Sequence, residues 1–127
     1  MIPWVVMDSP NWTRLSGTAQ KLLLSLYRQY KGSNNGDLCA ALRILKPMGF
    51  TRGETISNGI RELIHYGMIE MTRQGNLHRS GLYAVTWRPI DYCKGRLLEV
   101  SATNVASGLS KEPRELYERP IKKSQAE

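Results

Sequence analysis

Residues 51–87, TRGETISNGIRELIHYGMIEMTRQGNLHRSGLYAVTW, constrain the fold more than any other stretch of the chain. Thr51 precedes Glu54 by three residues, the spacing at which a hydroxyl and a carboxylate satisfy each other's orphan backbone N–H groups at a helix start. Ile56, Ile60, Leu63 and Ile64 follow at the spacing of one apolar helical stripe. Gly67 stands where a left-handed residue ends a helix. Residues 68–72 and 82–87 are rich in β-branched and aromatic side chains and read as two short strands. Between them lies RQGNLHRSG, glycine-punctuated and carrying two arginines and a histidine. The stretch predicts one helix, then a β-hairpin with a basic tip.

The preceding residues supply a support for that unit. Residues 2–6, IPWVV, suit a short extended piece packed on the core, and Asp8-Ser9-Pro10 reads as a polar cap with proline at the first helical position. A one-turn helix there carries Trp12 inward, and Trp4 and Trp12 are expected as core anchors. Ser16 caps a helix over residues 17–31, with Ala19, Leu22, Leu23, Leu26, Tyr27 and Tyr30 on one stripe and Lys21, Arg28 and Lys31 on a solvated face. Gly32 ends it, residues 33–37 form a turn, and a short strand is expected near Asp37-Leu38. A second helix over residues 40–48 turns Ala41, Leu42 and Leu45 inward. Pro47 shortens or distorts its last turn, because proline removes a hydrogen bond and clashes with the turn before it. Gly49 permits the tight turn and Phe50 plugs the corner. Two helices joined by a short glycine-bearing turn match the helix–turn–helix signature.

The expected fold class is therefore α+β, mainly α: a winged helix–turn–helix, with a three-helix core and a β-hairpin wing. Residues 1–15 read as an N-terminal arm packed on that core, and residues 16–91 as the winged domain. Residues 92–127 read as a C-terminal extension, flexible in part, with a short helix near 111–119 and disorder from residue 122.

Charge narrows the choice of partner. The chain carries a formal +7 and its pI is about 9.7, a balance that favours a polyanion. Residues 1–87 hold ten Lys/Arg against five Asp/Glu, and residues 88–127 hold eight against six, so the excess lies mainly in the domain. No apolar run approaches the length of roughly 18 residues that a spanning helix needs, and the first ten residues lack the basic start of a signal peptide. A cytoplasmic protein, nucleoid-associated if it binds DNA, is expected. Cys39 and Cys93 lie too far apart for a zinc motif and read as buried free thiols. His65 and His78 have no third ligand at metal spacing, and no nucleophile elbow or phosphate loop occurs. We therefore expect no catalytic residues, no metal, no cofactor, no membrane contact and no small-molecule substrate.

At about 100° per residue, Ile56, Ile60 and Leu63 face the core, while Glu54, Asn58, Arg61 and His65 lie opposite, flanked by Ser57 and Glu62. That polar face can enter a major groove: Asn58 can pair with adenine, Arg61 with guanine, and Ser57 with a base or a phosphate. Arg52, at the helix start, can meet phosphate. Glu54 is either the partner of Thr51 in the cap or an acceptor from cytosine. Gly53 and Gly59 are poor helix formers, read respectively as room for a phosphate and for the second helix. In the wing, Arg73 and Arg79 can grip phosphates or a narrow minor groove, and Gln74, Asn76 and His78 add hydrogen-bonding groups.

The segments LSGTAQKLLLSLYRQYKGSNNGDL, TRGETISNGIRELIHYGMIE and TRQGNLHRSGLYAVTWRPID resemble winged helix–turn–helix proteins of bacterial prophages, plasmids and integrative elements. The resemblance covers residues 15–91 and implies DNA binding through Arg52, Ser57, Asn58 and Arg61 of the third helix and Arg73, Gln74 and Arg79 of the wing. Pro47 departs from the family's pattern. Relatives of this kind include regulators and the DNA-binding parts of replication initiators. The expected function is a non-enzymatic binder of double-stranded DNA, a transcriptional regulator or an accessory replication factor of a mobile element. A homodimer or protein contact through residues 92–127, around Leu109, Leu116 and Tyr117, would add specificity. The alternative is a winged-helix interaction protein that docks on a host protein or nucleoprotein complex, for example to inhibit a defence system. A single-strand or RNA binder would present exposed aromatics, whereas the tyrosines here fall mostly at core spacing.

Overall fold

The computed structural model describes residues 2–75, 81–91 and 116–117. The chain opens with two one-turn helices, α1 (Trp4–Met7) and α2 (Pro10–Thr13). Residues 2–6 are thus not the extended piece expected from their composition, and Trp4, expected in the core, is 80% exposed. Ser9 is the local reason. Its Oγ donates to the Val6 carbonyl at 2.6 Å and accepts from the Trp12 N–H at 3.3 Å, so one hydroxyl closes α1 and opens α2. Val6 goes inward and Trp4 outward, while Trp12 packs half-buried on the core as expected.

Ser16 caps α3 (Gly17–Tyr27), its Oγ accepting from the Ala19 N–H at 3.1 Å. Ala19, Leu22, Leu23 and Leu26 are fully buried, which places the predicted stripe on the core. The regular helix stops at Tyr27, earlier than its periodicity indicates, and turns carry the chain to Tyr30 and to Gly32 at φ +99°. The predicted strand is β1 (Leu38–Cys39), whose outer edge is covered by a side chain. Gln29 donates from Nε2 to the Cys39 carbonyl at 2.8 Å and accepts at Oε1 from the Cys39 N–H at 2.9 Å, as a neighbouring strand would. Cys39 is a free thiol, half-buried rather than buried; Cys93 lies outside the described residues.

The second helix of the motif is one turn, α4 (Leu42–Leu45), and Lys46–Met48 continue as a 3-10 turn holding Pro47 in its first positions. The proline shortens the helix as its chemistry predicts. Only Leu45 of the three expected core residues is fully buried; Ala41 is half-buried and Leu42 is exposed, because one helical turn presents a single side chain inward. Gly49, at φ +100°, turns the chain, and Phe50 fills the corner at 3% exposure.

The long helix α5 (Gly53–His65) follows. Its cap position falls on Arg52 and not on Thr51, and no side chain caps it, so Glu54 stands second in the helix rather than third. Glu54 still lies in the first turn, where its charge complements the helix dipole. Ile56, Ile60 and Leu63 are buried as predicted, whereas Ile64 is 38% exposed. The far end closes with two bonds, Met68 N–H to Leu63 O at 2.9 Å and Gly67 N–H to Ile64 O at 3.0 Å, with Gly67 at φ +70°. This is the Schellman pattern that a terminal glycine favours.

Strands β2 (Ile69–Arg73) and β3 (Leu82–Val85) form the antiparallel hairpin, and β1 pairs on the other side of β3, giving the order β1-β3-β2. Met71 faces Tyr83 and Arg73 faces Leu82, so Thr72 is an extra residue in β2. Its Oγ1 donates to the Gly36 carbonyl at 2.5 Å. The fold is α+β and mainly helical, with α3 on α5 and a three-stranded sheet, consistent with a winged helix.

One buried side chain ties the turn before β1 to β3 and the chain leaving it. Asn35 is 0% exposed. Its Nδ2 donates to the carbonyls of Val85, Arg88 and Pro89 at 3.1, 3.1 and 2.9 Å, and its Oδ1 accepts from the Val85 N–H at 2.9 Å. Its backbone N–H donates to Asp91 Oδ2 at 2.7 Å and its carbonyl accepts from the Asp91 N–H at 2.8 Å. Asn35→Ala orphans several buried groups and is expected to cost about 3 kcal/mol. Asn35→Asp, which sets a carboxylate against three carbonyls, should cost at least as much at neutral pH. Urea denaturation with an unchanged slope checks both.

Tyr83 adds a pH dependence. Burial, with a smaller contribution from Cys39, pushes its phenol above the ordinary 10.0. The folded state therefore holds this proton more tightly than the unfolded chain does. The associated stability is complete below the unfolded value and is lost as pH rises through the folded one. Tyr83→Phe should make the decline in stability above about pH 10 shallower, measured as the wild-type minus variant difference in thermal midpoint.

Candidate nucleic-acid interface

The outer face of α5 is built from what its inner face and one flank require. Gly59 lies against α3: a Cβ added there would stand 2.6 Å from Leu22 Cδ2. The close approach that this glycine permits is thus to α3, not to the second helix. Around Gly53 an added Cβ would meet nothing within 4 Å, so no packing demand explains that glycine.

Glu62, expected to flank the polar face, is instead a structural clamp. Its Oε2 accepts from the Ser16 N–H at 2.7 Å and its Oε1 accepts from the Ser16 hydroxyl at 3.0 Å. The carboxylate satisfies backbone at the start of α3 while the Ser16 hydroxyl accepts from Ala19, so the two helices share one cap. Lys21 likewise is more than a solvated charge. Its Nζ donates to the Gly49 carbonyl at 3.4 Å and lies 5.0 Å from the centre of the Phe50 ring, bracing the turn before α5.

Between these constraints an arc of α5 remains open. Arg52, Ser57 and Arg61 are exposed, together with Glu54. Arg61 Nη1 donates to Asn58 Oδ1 at 3.3 Å, and Asn58 is half-buried. The Asn58 amide oxygen thus already accepts one bond, and pairing of both amide atoms with adenine would share or replace it. His65 is half-buried and packs against two aromatic rings. Its ring lies 4.9 Å from that of Tyr66 and 5.3 Å from that of Tyr117, edge-on to the first and tilted to the second. Tyr117 is a member of this surface that helical spacing alone does not reveal. Its N–H donates to the Tyr66 hydroxyl at 2.8 Å, and it lines, with Leu116, a groove of about 520 Å³ beside Thr55, Asn58 and Glu62. Leu116 and Tyr117 are not helical: the Tyr117 amide is spent on Tyr66, where a helix would use it four residues back.

In the wing, Arg73 is half-buried at the end of β2 and Gln74 is exposed just beyond it. Gly81 marks a crowded hairpin base, since a Cβ there would stand 3.1 Å from the Tyr83 hydroxyl. Asn76, His78 and Arg79 lie outside the described residues, as do residues 92–115 and 118–127 with the greater part of the expected C-terminal helix. Among the described residues, no group of three His, Cys, Asp or Glu could hold a metal ion, and no helix is long and apolar enough to cross a membrane.

The structure thus brings Ser57, Asn58 and Arg61 to one helix face with Arg52 at the helix start, sets Arg73 and Gln74 on the hairpin, and packs His65 against two tyrosines. Compared with models of known protein families, with characterised proteins and with solved structures, the chain matches none.

The clamp can be measured. Glu62→Ala should lower stability by about 1 kcal/mol, and Glu62→Gln by less, since one amide oxygen still accepts. Ser16→Ala in the Glu62→Ala background should cost less than Ser16→Ala alone. A thermal-denaturation double-mutant cycle with no coupling would show that the clamp contributes nothing.

Proposed function

We propose that this protein is a non-enzymatic reader of double-stranded DNA. In this reading α5 enters the major groove, and Arg73 and Gln74 of the hairpin lie along the backbone or minor groove. The observation that carries it is the exposed arc of α5, with Ser57 and Arg61 on the side away from the buried Ile56, Ile60 and Leu63 and Arg52 exposed at the helix start. Charge supports it. Across residues 9–53, Asp37 is the single acid among seven Lys/Arg, so the helices and turn that present α5 are strongly cationic. Arg52 and Arg61 meet phosphate or guanine, Ser57 a phosphate or base edge, and Asn58 an adenine edge, sharing or replacing its bond to Arg61. A regulatory or accessory replication role on a mobile element follows from the resemblance of residues 15–91 and not from the geometry.

A second reading has its own observation. Leu24 is 52% exposed and lines a shallow hollow of about 500 Å³ with Lys21, Arg28 and Met48. An apolar hollow rimmed by cations suits an acidic protein face, as the interaction-protein alternative requires.

Binding to a labelled random duplex across a salt series separates the two. For a DNA reader, affinity falls linearly with salt on logarithmic axes. Arg52→Glu/Arg61→Glu makes the slope shallower by about two, one unit for each arginine that no longer neutralises a phosphate. Absence of binding at low salt from a folded sample overturns the DNA reading and leaves the protein partner.

A further inference from the structure

The flank of α5 that carries His65 and Asn58 is occupied by the chain itself. We infer that the segment at Leu116-Tyr117 is an intramolecular competitor for this flank, so that a duplex engages the whole face of α5 only after Tyr117 has left it. This rests on the DNA reading given above.

The observations are specific to one small contact. Tyr66 is 1% exposed, so its hydroxyl is a fixed point in the core, and it accepts the Tyr117 N–H at 2.8 Å. The Tyr117 ring lies 5.3 Å from the His65 ring and shares the groove with Asn58 and Glu62. A base edge approaching His65 and Asn58 meets this ring first.

The docked state is also built to be shallow. The Tyr117 hydroxyl is buried without a hydrogen-bond partner among the described residues, which costs free energy whenever the ring is docked. Leu116 is 68% exposed and contributes little apolar burial to the docked state. One backbone hydrogen bond and one ring contact, offset by an orphan hydroxyl, leave two states close in free energy. A ligand that binds only the open state then shifts the population, and its apparent affinity falls by the fraction that is closed.

Three substitutions in the full chain give opposite signs. Tyr66→Phe removes the acceptor and Tyr117→Ala removes the ring; each should tighten binding to a labelled random duplex by about threefold, since a loss worth one net hydrogen bond brings a modestly favoured docked state level with the open one. Tyr117→Phe removes the orphan hydroxyl and keeps ring and amide, so it docks better and should bind the duplex more weakly than wild type. Thermal melting establishes that each variant is folded, and nuclear Overhauser effects between the Tyr117 and His65 rings report docking without DNA. Disappearance of those effects on adding duplex to the wild type, with the expected order of affinities, supports the inference. Equal affinities in all four proteins overturn it while leaving the DNA reading intact. Weaker binding by folded Tyr66→Phe and Tyr117→Ala also overturns it, because the segment would then belong to the binding surface. No duplex binding by any of the four overturns the DNA reading and this inference together.

Discussion

The hydrogen-bonded clasp of Asn35 fixes how the turn that follows α3 meets the sheet. β1 has two residues and β3 four, so the ladder between them is too short to orient the sheet alone. Asn35 supplies what the ladder lacks. Its side chain takes up backbone groups of β3 and of the chain leaving it, and its own backbone is held by Asp91. A buried amide that meets four partners in a low-dielectric interior is unforgiving of displacement, because each broken bond leaves a desolvated group behind. The turn at residues 33–37 is thereby made rigid. The Gly36 carbonyl in the same turn receives the Thr72 hydroxyl from the bulge in β2, so all three strands register on one loop.

With the sheet placed, α5 is held on three sides. Its apolar stripe faces the core, Gly59 seats Leu22 of α3, and Glu62 caps the start of α3. Each of these uses a different part of the helix circumference, and together they prevent rotation about its axis. The exposed arc is what remains. The Glu62 carboxylate on its flank accepts from the Ser16 N–H instead of facing the arginines. Glu62 is thus spent on the start of α3, which leaves Arg52, Arg61 and Glu54 as the exposed charges of the arc.

The elements governed by local periodicity are readable in the chain. The stripes of α3 and α5, the left-handed Gly67, the shortening at Pro47 and the hairpin strands all follow from spacing and backbone chemistry over a few residues. What escapes depends on partners distant in sequence. Asn35 looks like an ordinary turn residue, because its partners lie at residues 85–91. Glu62 looks like a solvated acid, because Ser16 lies forty-six positions away. Trp4 looks like a core anchor because it is apolar, but apolar character does not fix burial; Ser9 sets which side of α1 faces in. The polar face of α5 is correct in angle, yet Arg61 bonds Asn58 and Tyr117 covers His65; a helical wheel carries no information on either.

These occupied groups bear on what the helix can recognise. In the free protein Asn58 accepts at Oδ1 from Arg61, which uses one of the five guanidinium donors and holds the two side chains together. Reading a base with either residue shares this bond or exchanges it for contacts to the base, so the net gain is smaller than a bidentate pair formed from free side chains. Phosphate recognition by Arg52 and Ser57 carries no such exchange cost. On the proposed DNA reading, the face as it stands is therefore better disposed to hold the backbone of a duplex than to discriminate its sequence. On that reading, discrimination by Asn58 or Arg61 comes from contacts that replace or share their mutual bond, since contacts available on every sequence add affinity without specificity.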